Sequence, residues 1–164
     1  MTYSTSGYEI AQVCVGLAKA WKFLSGEERG FAPCKSCSTS PTLTEFSYFM
    51  PLRVSADQRT GGLGVLIQRP DALDVATHMF GAEAACLQEP DLHDACAEVC
   101  NVLSGCLAQH IRAYSDIHLG LPFRASQAAY QQISTNSTIA AVYVSSAHNT
   151  QLYVVEYHIF SQPH

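Results

Sequence analysis

The sequence is short of charged side chains, and of basic ones in particular. Only 14% of its 164 residues are charged, and 9 Lys and Arg residues stand against 14 Asp and Glu, a formal net charge of −5. Proteins that bind nucleic acid use clusters of Lys and Arg against the phosphates, and the sequence has no such cluster. It also lacks a run of roughly 20 apolar residues that could span a membrane. We therefore expect neither nucleic acid nor a membrane as a partner.

The first residues lack the basic region and apolar stretch of a secretory signal, so a cytoplasmic location is expected. The seven cysteines are then expected to stay reduced and mostly buried. Cys34 and Cys37 form a CxxC pair, but no second CxxC or HxxxH motif completes a zinc site. His93, Cys96 and Cys100 share one side of a predicted helix, which leaves a mixed site as the alternative. The prediction is that the chain has no metal site.

Hydrophobic periodicity divides the sequence into helices and strands, with no repeat and no linker. Apolar residues at helical spacing predict a long N-terminal helix over 8–24, and Trp21 and Phe23 near its end are assigned to the core. Pro51, inside the first strand, indicates an edge or a bulge. The elements after the first helix are predicted at 46–54 (strand), 63–67 (strand), 70–80 (helix), 90–112 (helix), 124–133 (strand), 138–144 (strand) and 152–160 (strand).

The last three strands read as an antiparallel meander, with a tight turn at 148–150. Two helical segments, at 8–24 and 90–112, are long enough to cover one face of a sheet. The sequence therefore predicts one α+β domain over residues 1–164, an antiparallel sheet with the long N-terminal helix and the 90–112 helix packed on it.

The helix at 90–112 carries a narrow polar stripe. At 100° per residue, Asp94, Glu98, Asn101 and Gly105 fall within about 60° of one another. Any amphipathic helix has a polar face, and Glu98 with Asn101 alone would be an ordinary surface pair. Yet Asn is a mediocre helix former, and Gly costs about 1 kcal/mol relative to Ala in mid-helix. The stripe is therefore predicted to face a partner. The opposite, core face comprises Leu92, Cys96, Val99, Leu103, Cys106 and Leu107.

A neighbouring Glu and Asn can support hydrolysis without a nucleophile of their own. The amide of Asn101 does not titrate at neutral pH, but it can hold a water molecule, and it does not repel an approaching anion. The carboxylate of Glu98 offers a fixed negative charge to a lysine of a partner. The pair fits the orientation of water against a phosphoryl group held elsewhere, a role that glutamine has in GTP hydrolysis.

The pattern Asp94-x-x-x-Glu98-x-x-Asn101 resembles the signature of the CheC/CheX family of chemotaxis phosphatases. In that family a proline follows the Asn by a little over twenty residues. Here Pro122 follows Asn101 by 21 positions, slightly closer than in the family pattern. The order of the predicted elements is also similar to a single-domain CheX-like protein over nearly the whole chain. A second motif, as in CheC, is missing, because the N-terminal helix has Gln12 where Asn would be required.

The resemblance implies a phosphatase that stimulates hydrolysis of the aspartyl phosphate on a CheY-type receiver domain. It implies that Asn101 orients the attacking water, that Glu98 pairs with the receiver's lysine, and that Asp94 and Pro122 support the helix and the adjacent loop. The receiver would bring its own Mg²⁺, so no cofactor is expected in this chain, and a homodimer built through the sheet is expected. The alternative is a non-catalytic CheX-like module that binds a receiver or signalling partner.

Overall fold

The computed structural model describes residues 7–35, 41–54, 60–112, 116–147 and 149–159. Four helices and a single 3₁₀ turn are present in these ranges: α1 (Gly7–Ser25), α2 (Arg69–Phe80), the 3₁₀ turn (Ala84–Cys86), α3 (Glu89–Arg112) and α4 (Gln127–Asn136). The strands are β1 (Ala32–Pro33), β2 (Phe46–Val54), β3 (Thr60–Ile67), β4 (Ile117–Leu119), β5 (Phe123–Arg124), β6 (Ser137–Ala147) and β7 (Thr150–Ile159).

The strands form one antiparallel sheet in the order β1-β6-β7-β3-β2-β4, with β5 also paired to β2. On the side away from β3, β2 pairs with β4 at residues 52–54 and with β5 at residues 48–49. Pro51 lies between these two short pairings, where its missing N–H interrupts no ladder, and its carbonyl accepts a hydrogen bond from the Gly120 N–H at 2.8 Å. β2 is thus an inner strand, and its register with β3 continues through Pro51 without a shift, so the predicted edge or bulge is wrong.

Helices α1, α2 and α3 cover one face of the sheet, and α4 covers part of the other. Alternation along β2 divides the core accordingly, because successive side chains of a strand point to opposite faces. Tyr48 and Met50 pack under α1–α3, whereas Phe49 packs with Tyr130 of α4. The predicted α+β class, with helices on an antiparallel sheet, is confirmed. None of the described helices has the length and apolar character needed to cross a membrane.

The strand predicted at 124–133 is wrong. Strand β5 ends at Arg124, and α4 begins at Gln127. The preceding Ser126 caps the helix, because its side chain accepts a hydrogen bond from the Ala129 N–H at 3.1 Å. Ala129, Tyr130 and Ile133 then pack together on the sheet at helical spacing. An N-cap serine and this spacing were local signals that favoured a helix. Of the turn predicted at 148–150, His148 lies outside the described residues.

The end of α1 shows that the assignment of Phe23 to the core is wrong. Trp21 is 2% exposed and Phe23 is 77% exposed. Residues two apart on a helix point about 200° from each other, so the two rings cannot share a face. The burial of Trp21 therefore directs Phe23 into solvent.

A buried ion pair joins the helices to the sheet. Arg29, in the loop after α1, donates to the Asp71 carboxylate of α2 at 2.6 Å and to the Ser145 hydroxyl of β6 at 2.9 Å. Thr150 of β7 donates to the same Asp71 oxygen at 3.1 Å. The guanidinium lies 5.5 Å from the centre of the Trp21 ring. Because both charged side chains are buried, this network fixes α1 and α2 over the β6–β7 end of the sheet.

Candidate functional site

Helix α3 carries the predicted stripe and lies between α1 and strand β2. The opposite side of α3 is buried, as predicted, with Cys106 only half-buried. On the outer side, Asp94, Glu98 and Asn101 are exposed and Gly105 is half-buried. The structure therefore brings these four predicted site residues together on one accessible surface, hereafter the stripe.

Within the described ranges, the polar side chains of the stripe are not engaged by other residues. Asp94, Glu98 and Asn101 form no hydrogen bond or ion pair with any other residue in the described ranges. A Cβ added at Gly105 would meet no heavy atom within 4 Å, so the space outside this residue is open. The stripe thus offers a carboxylate and an amide, one helical turn apart, next to room for a partner.

Contacts on both sides of α3 fix the direction in which the stripe points. On one side, the Tyr48 hydroxyl of β2 is hydrogen-bonded to His93 Nδ1 at 2.8 Å. On the other side, Cys106 Sγ donates to the Gly16 carbonyl of α1 at 3.9 Å. At 100° per residue, Asn101 leans toward the β2 side and Glu98 toward the α1 side. The two side chains therefore lie side by side on the stripe, Asn101 toward β2 and Glu98 toward α1.

An ion-pair network holds the start of α3. Arg69 of α2 donates to Glu89 at 2.7 Å and to Glu45 at 2.9 Å. The hydrogen bonds from Arg69 lower the pKa of Glu89. Glu45, Glu89 and His93 place possible metal-ligating atoms within 4.8 Å of one another, the only such group in the described ranges. Because Arg69 already pairs with both carboxylates, we assign this cluster to fixing the helix N-terminus rather than to metal binding.

The cysteines considered for a mixed metal site are otherwise engaged. Cys34 is disulfide-bonded, so the expectation of a reduced thiol there is wrong; Cys37 lies outside the described residues. Cys96 and Cys100 are fully buried, and burial raises the pKa of each thiol to about 12. Protonated thiols of this kind are poor metal ligands, and they pack as small apolar side chains.

Pro122 lies between β4 and β5, on the outer side of β2. The neighbouring Gly120 packs against Pro51, and Leu121 is 84% exposed. This loop is on the flank toward which Asn101 leans, whereas Pro122 itself is half-buried. The structure places the proline at the sheet edge, in the link between the two short strands that pair with β2.

Sequence reasoning missed Tyr48, and it missed Arg124 of β5 as well. Their relation to the stripe depends on strand pairings between residues more than seventy positions apart. No local pattern could have indicated this arrangement. From the sequence, His93 was considered only as a possible metal ligand. In the structure it is the hydrogen-bond partner of Tyr48.

The antiparallel sheet with three helices on one face is the fold of the solved CheC/CheX-like chemotaxis proteins. One similar solved structure is the CheX–CheY–BeF3–Mg²⁺ complex from Borrelia burgdorferi, at TM-score 0.65 and 15% identity, covering 93% of this chain and 97% of that chain. A CheC-like superfamily protein from Shewanella sp. PV-4 has a TM-score of 0.65 at 14% identity, covering 93% of this chain and 97% of that chain. FliM in a complex with SpeE from H. pylori has a TM-score of 0.61 at 8% identity, covering 93% of this chain and 85% of that chain. No protein-family model and no curated protein sequence matches the chain.

Proposed function

We propose that this chain stimulates hydrolysis of the aspartyl phosphate on a CheY-type receiver domain. The observation that carries the proposal is the pair Glu98 and Asn101, both exposed and both without a partner in the described residues. They lie in the middle of α3, on a fold shared with a CheX protein that was solved in complex with CheY. The fold supports the class of partner, and the two side chains support the chemistry.

Asn101 would act on the attacking water. Its amide can donate one hydrogen bond and accept another, which places a water molecule in line with the phosphorus without adding negative charge. Phosphoryl transfer has a loose transition state, so most of the acceleration comes from positioning and electrostatics. A neutral amide on a rigid helix meets that requirement.

Glu98 would fix the docked receiver. Its carboxylate has no cation beside it in the described ranges and can pair with the active-site lysine of the receiver. Asp94, one turn before Glu98, and Pro122, at the sheet edge, would support the helix and the adjacent loop. Mg²⁺ would come with the receiver, so the chain would need no cofactor of its own.

A homodimer formed through the sheet, in the cytoplasm, completes the proposal. Strand β6 is paired with β1 only at residues 143–144, so most of its outer side has no strand partner in the described part of the chain. An open strand edge of this length is suited to pairing with a second copy.

The test is the decay of phosphoryl label from a panel of receiver domains. Wild type should accelerate the decay, and Asn101→Ala should lose the acceleration by about a hundredfold while binding is kept. Gln132→Ala, which removes an exposed amide from α4, is the matched control and should behave as wild type. Loss of binding without loss of turnover in Asn101→Ala would contradict the assigned role.

The second candidate is a docking module without catalysis. The same fold occurs in FliM, which was solved in a complex with SpeE, so the fold alone does not define an enzyme. In that case a receiver would bind, its dephosphorylation would be unchanged by wild type, and Asn101→Ala would have no effect on the decay.

A further inference from the structure

Arg124 is an exposed cation on strand β5. It forms no hydrogen bond or ion pair with another side chain in the described ranges. Strand register places Arg124 directly opposite Tyr48, and opposed residues of antiparallel strands point to the same face. The next pair, Phe49 and Phe123, has ring centres 6.2 Å apart on the other face, as alternation requires. Arg124 therefore stands on the face that carries α3.

The position of Tyr48 relates Arg124 to the stripe. The Tyr48 hydroxyl bonds to His93, the residue before Asp94. Burial raises the pKa of Tyr48, the Arg124 charge opposes that rise, and the Asp94 charge adds to it, so both charges act on the same hydroxyl. Arg124 thus lies beside the N-terminal end of the stripe, on the flank toward which Asn101 leans.

The charges around Arg124 leave it available for a partner. Arg69, the other arginine near the start of α3, is bound to Glu45 and Glu89. Arg124 also lines a shallow groove of about 570 Å³ between the segment before β2 and the start of α4. Glu45 lines the same groove, and its carboxylate shares Arg69 with Glu89 at the start of α3. A partner on the stripe would meet Arg124 as an unpaired positive charge at the edge of the contact.

We propose that Arg124 is a docking residue for the receiver, pairing with a carboxylate beside the phosphorylated aspartate; this rests on the proposed function. A receiver site that holds an aspartyl phosphate and Mg²⁺ is surrounded by acidic side chains, because Mg²⁺ is bound through carboxylates. His93, which the Tyr48 hydroxyl reaches, lies about 12 Å from Asn101 along the helix axis at 1.5 Å per residue, and Arg124 stands on this side of the stripe. At that distance Arg124 reaches a carboxylate at the rim rather than the phosphoryl group itself.

An ion pair at the rim of an interface acts on association more than on chemistry. It speeds the encounter, it weakens with salt, and it leaves the reacting geometry unchanged. Removal of Arg124 should therefore raise KM and leave kcat as it is. Glu98 offers negative charge and Arg124 positive charge, so the two together would also fix the orientation of the receiver on the stripe.

The experiment is steady-state dephosphorylation of a receiver at two ionic strengths, with Arg124→Ala, Arg124→Lys and a matched control, Arg53→Ala. Arg53 is an exposed arginine on the opposite face of the same sheet edge, so Arg53→Ala makes the same change of charge away from the stripe. Arg124→Ala should raise KM by roughly three- to tenfold at low salt and less at high salt, with kcat unchanged. Arg124→Lys should restore most of the loss, and Arg53→Ala should match wild type.

Affinity for a beryllofluoride-activated receiver separates this inference from the proposed function. If wild type binds the receiver without accelerating decay, catalysis fails, and weaker, less salt-dependent binding by Arg124→Ala still supports the docking role. Equal effects of Arg124→Ala and Arg53→Ala on affinity would overturn it. A fall in kcat that Arg124→Lys does not restore would also overturn it, because that pattern indicates a structural effect.

Discussion

Tyr48 of the sheet and His93 of α3 are joined by a hydrogen bond of 2.8 Å between the tyrosine hydroxyl and Nδ1 of the imidazole. The His93 ring also lies 4.7 Å from the centre of the Phe46 ring. Together these contacts set the rotation of α3 about its axis. Because Asp94 follows His93 directly, the rotation of α3 decides that the stripe points away from the core.

Substitution of Tyr48 by Phe should lower the free energy of unfolding by about 1 kcal/mol. The change removes the hydroxyl, keeps the buried ring and leaves His93 Nδ1 without its partner. Urea unfolding measures the loss. Tyr153→Phe is the control, since the Tyr153 hydroxyl bonds to Gln151 at an exposed site and should contribute less. Equal losses in the two variants would contradict the structural role of the Tyr48–His93 bond.

Local sequence signals were sufficient for the long helices and for the stripe. The periodicity of α3 separates the buried Leu103 from the exposed Asn101, and this separation follows from 3.6 residues per turn alone. The error at 124–133 was also local, because Ser126 as a helix cap was overlooked.

Sequence could not supply the surroundings of the stripe. The approach of Tyr48 to His93 and of Arg124 to Tyr48 depends on which strands pair and on which side of β2 the short strand β5 lies. Such pairings are set by the whole fold rather than by nearby residues. The exposed amide of Asn101 was therefore predictable, and the position of Arg124 opposite Tyr48 was not.

The buried pair of Arg29 and Asp71 should be sensitive to the loss of one partner. Arg29→Ala leaves the Asp71 carboxylate buried without its cation, and we expect a loss of about 3–5 kcal/mol in the free energy of unfolding. The double variant Arg29→Met with Asp71→Leu should recover much of this loss. Lys22→Ala, which breaks the exposed pair with Glu28, should show no measurable change. Urea unfolding measures these losses, and a loss in Lys22→Ala as large as that in Arg29→Ala would contradict the prediction.

The buried thiol of Cys100 predicts a dependence of stability on alkaline pH. Burial raises its pKa to about 12 in the folded protein, from an ordinary value of 9.0. As the pH rises, the Cys100 thiol ionises in the unfolded chain before it ionises in the folded protein. Its contribution to the free energy of unfolding is therefore fully present below pH 9 and falls from there toward pH 12, by up to about 1.4 kcal/mol per pH unit. Cys100→Ala should be less stable than wild type at pH 7, and the difference should shrink at pH 10.

The exposed Cys86 provides the comparison for that experiment. Cys86→Ala replaces a thiol that is accessible to solvent in the folded protein, so it controls for the general effect of changing a cysteine to alanine. Urea unfolding at both pH values measures all three proteins. A Cys100→Ala difference that is constant with pH would show that burial does not control this thiol.

Removal of the Glu98 charge should weaken receiver docking. Glu98→Gln keeps the shape of the side chain, and we expect KM for the phosphorylated receiver to rise by roughly three- to tenfold, with kcat within about twofold of wild type. Glu83→Gln removes an exposed carboxylate away from the stripe and should leave both constants unchanged. Steady-state kinetics over a range of receiver concentrations measure both constants. A fall in kcat at constant KM would indicate that Glu98 acts in the hydrolysis step rather than in docking.

Gly105 allows the open space of the stripe to be tested apart from its charges. Because a Cβ at this position meets nothing within 4 Å, Gly105→Ala should fold well and gain about 1 kcal/mol in the free energy of unfolding, as should Gly16→Ala on α1. Both variants should still bind the receiver. Gly105→Trp fills the space that a docked partner would occupy, so it should keep its thermal stability and lose binding.

Gln132→Trp places the same bulk on an exposed position of α4, on the other face of the sheet, and should bind the receiver as wild type does. Calorimetric titration with an activated receiver and a thermal melt on each variant separate a blocked surface from a damaged fold. If Gly105→Trp binds normally, the partner does not approach the stripe over Gly105. The glycine would then be a local irregularity of α3 with no part in docking.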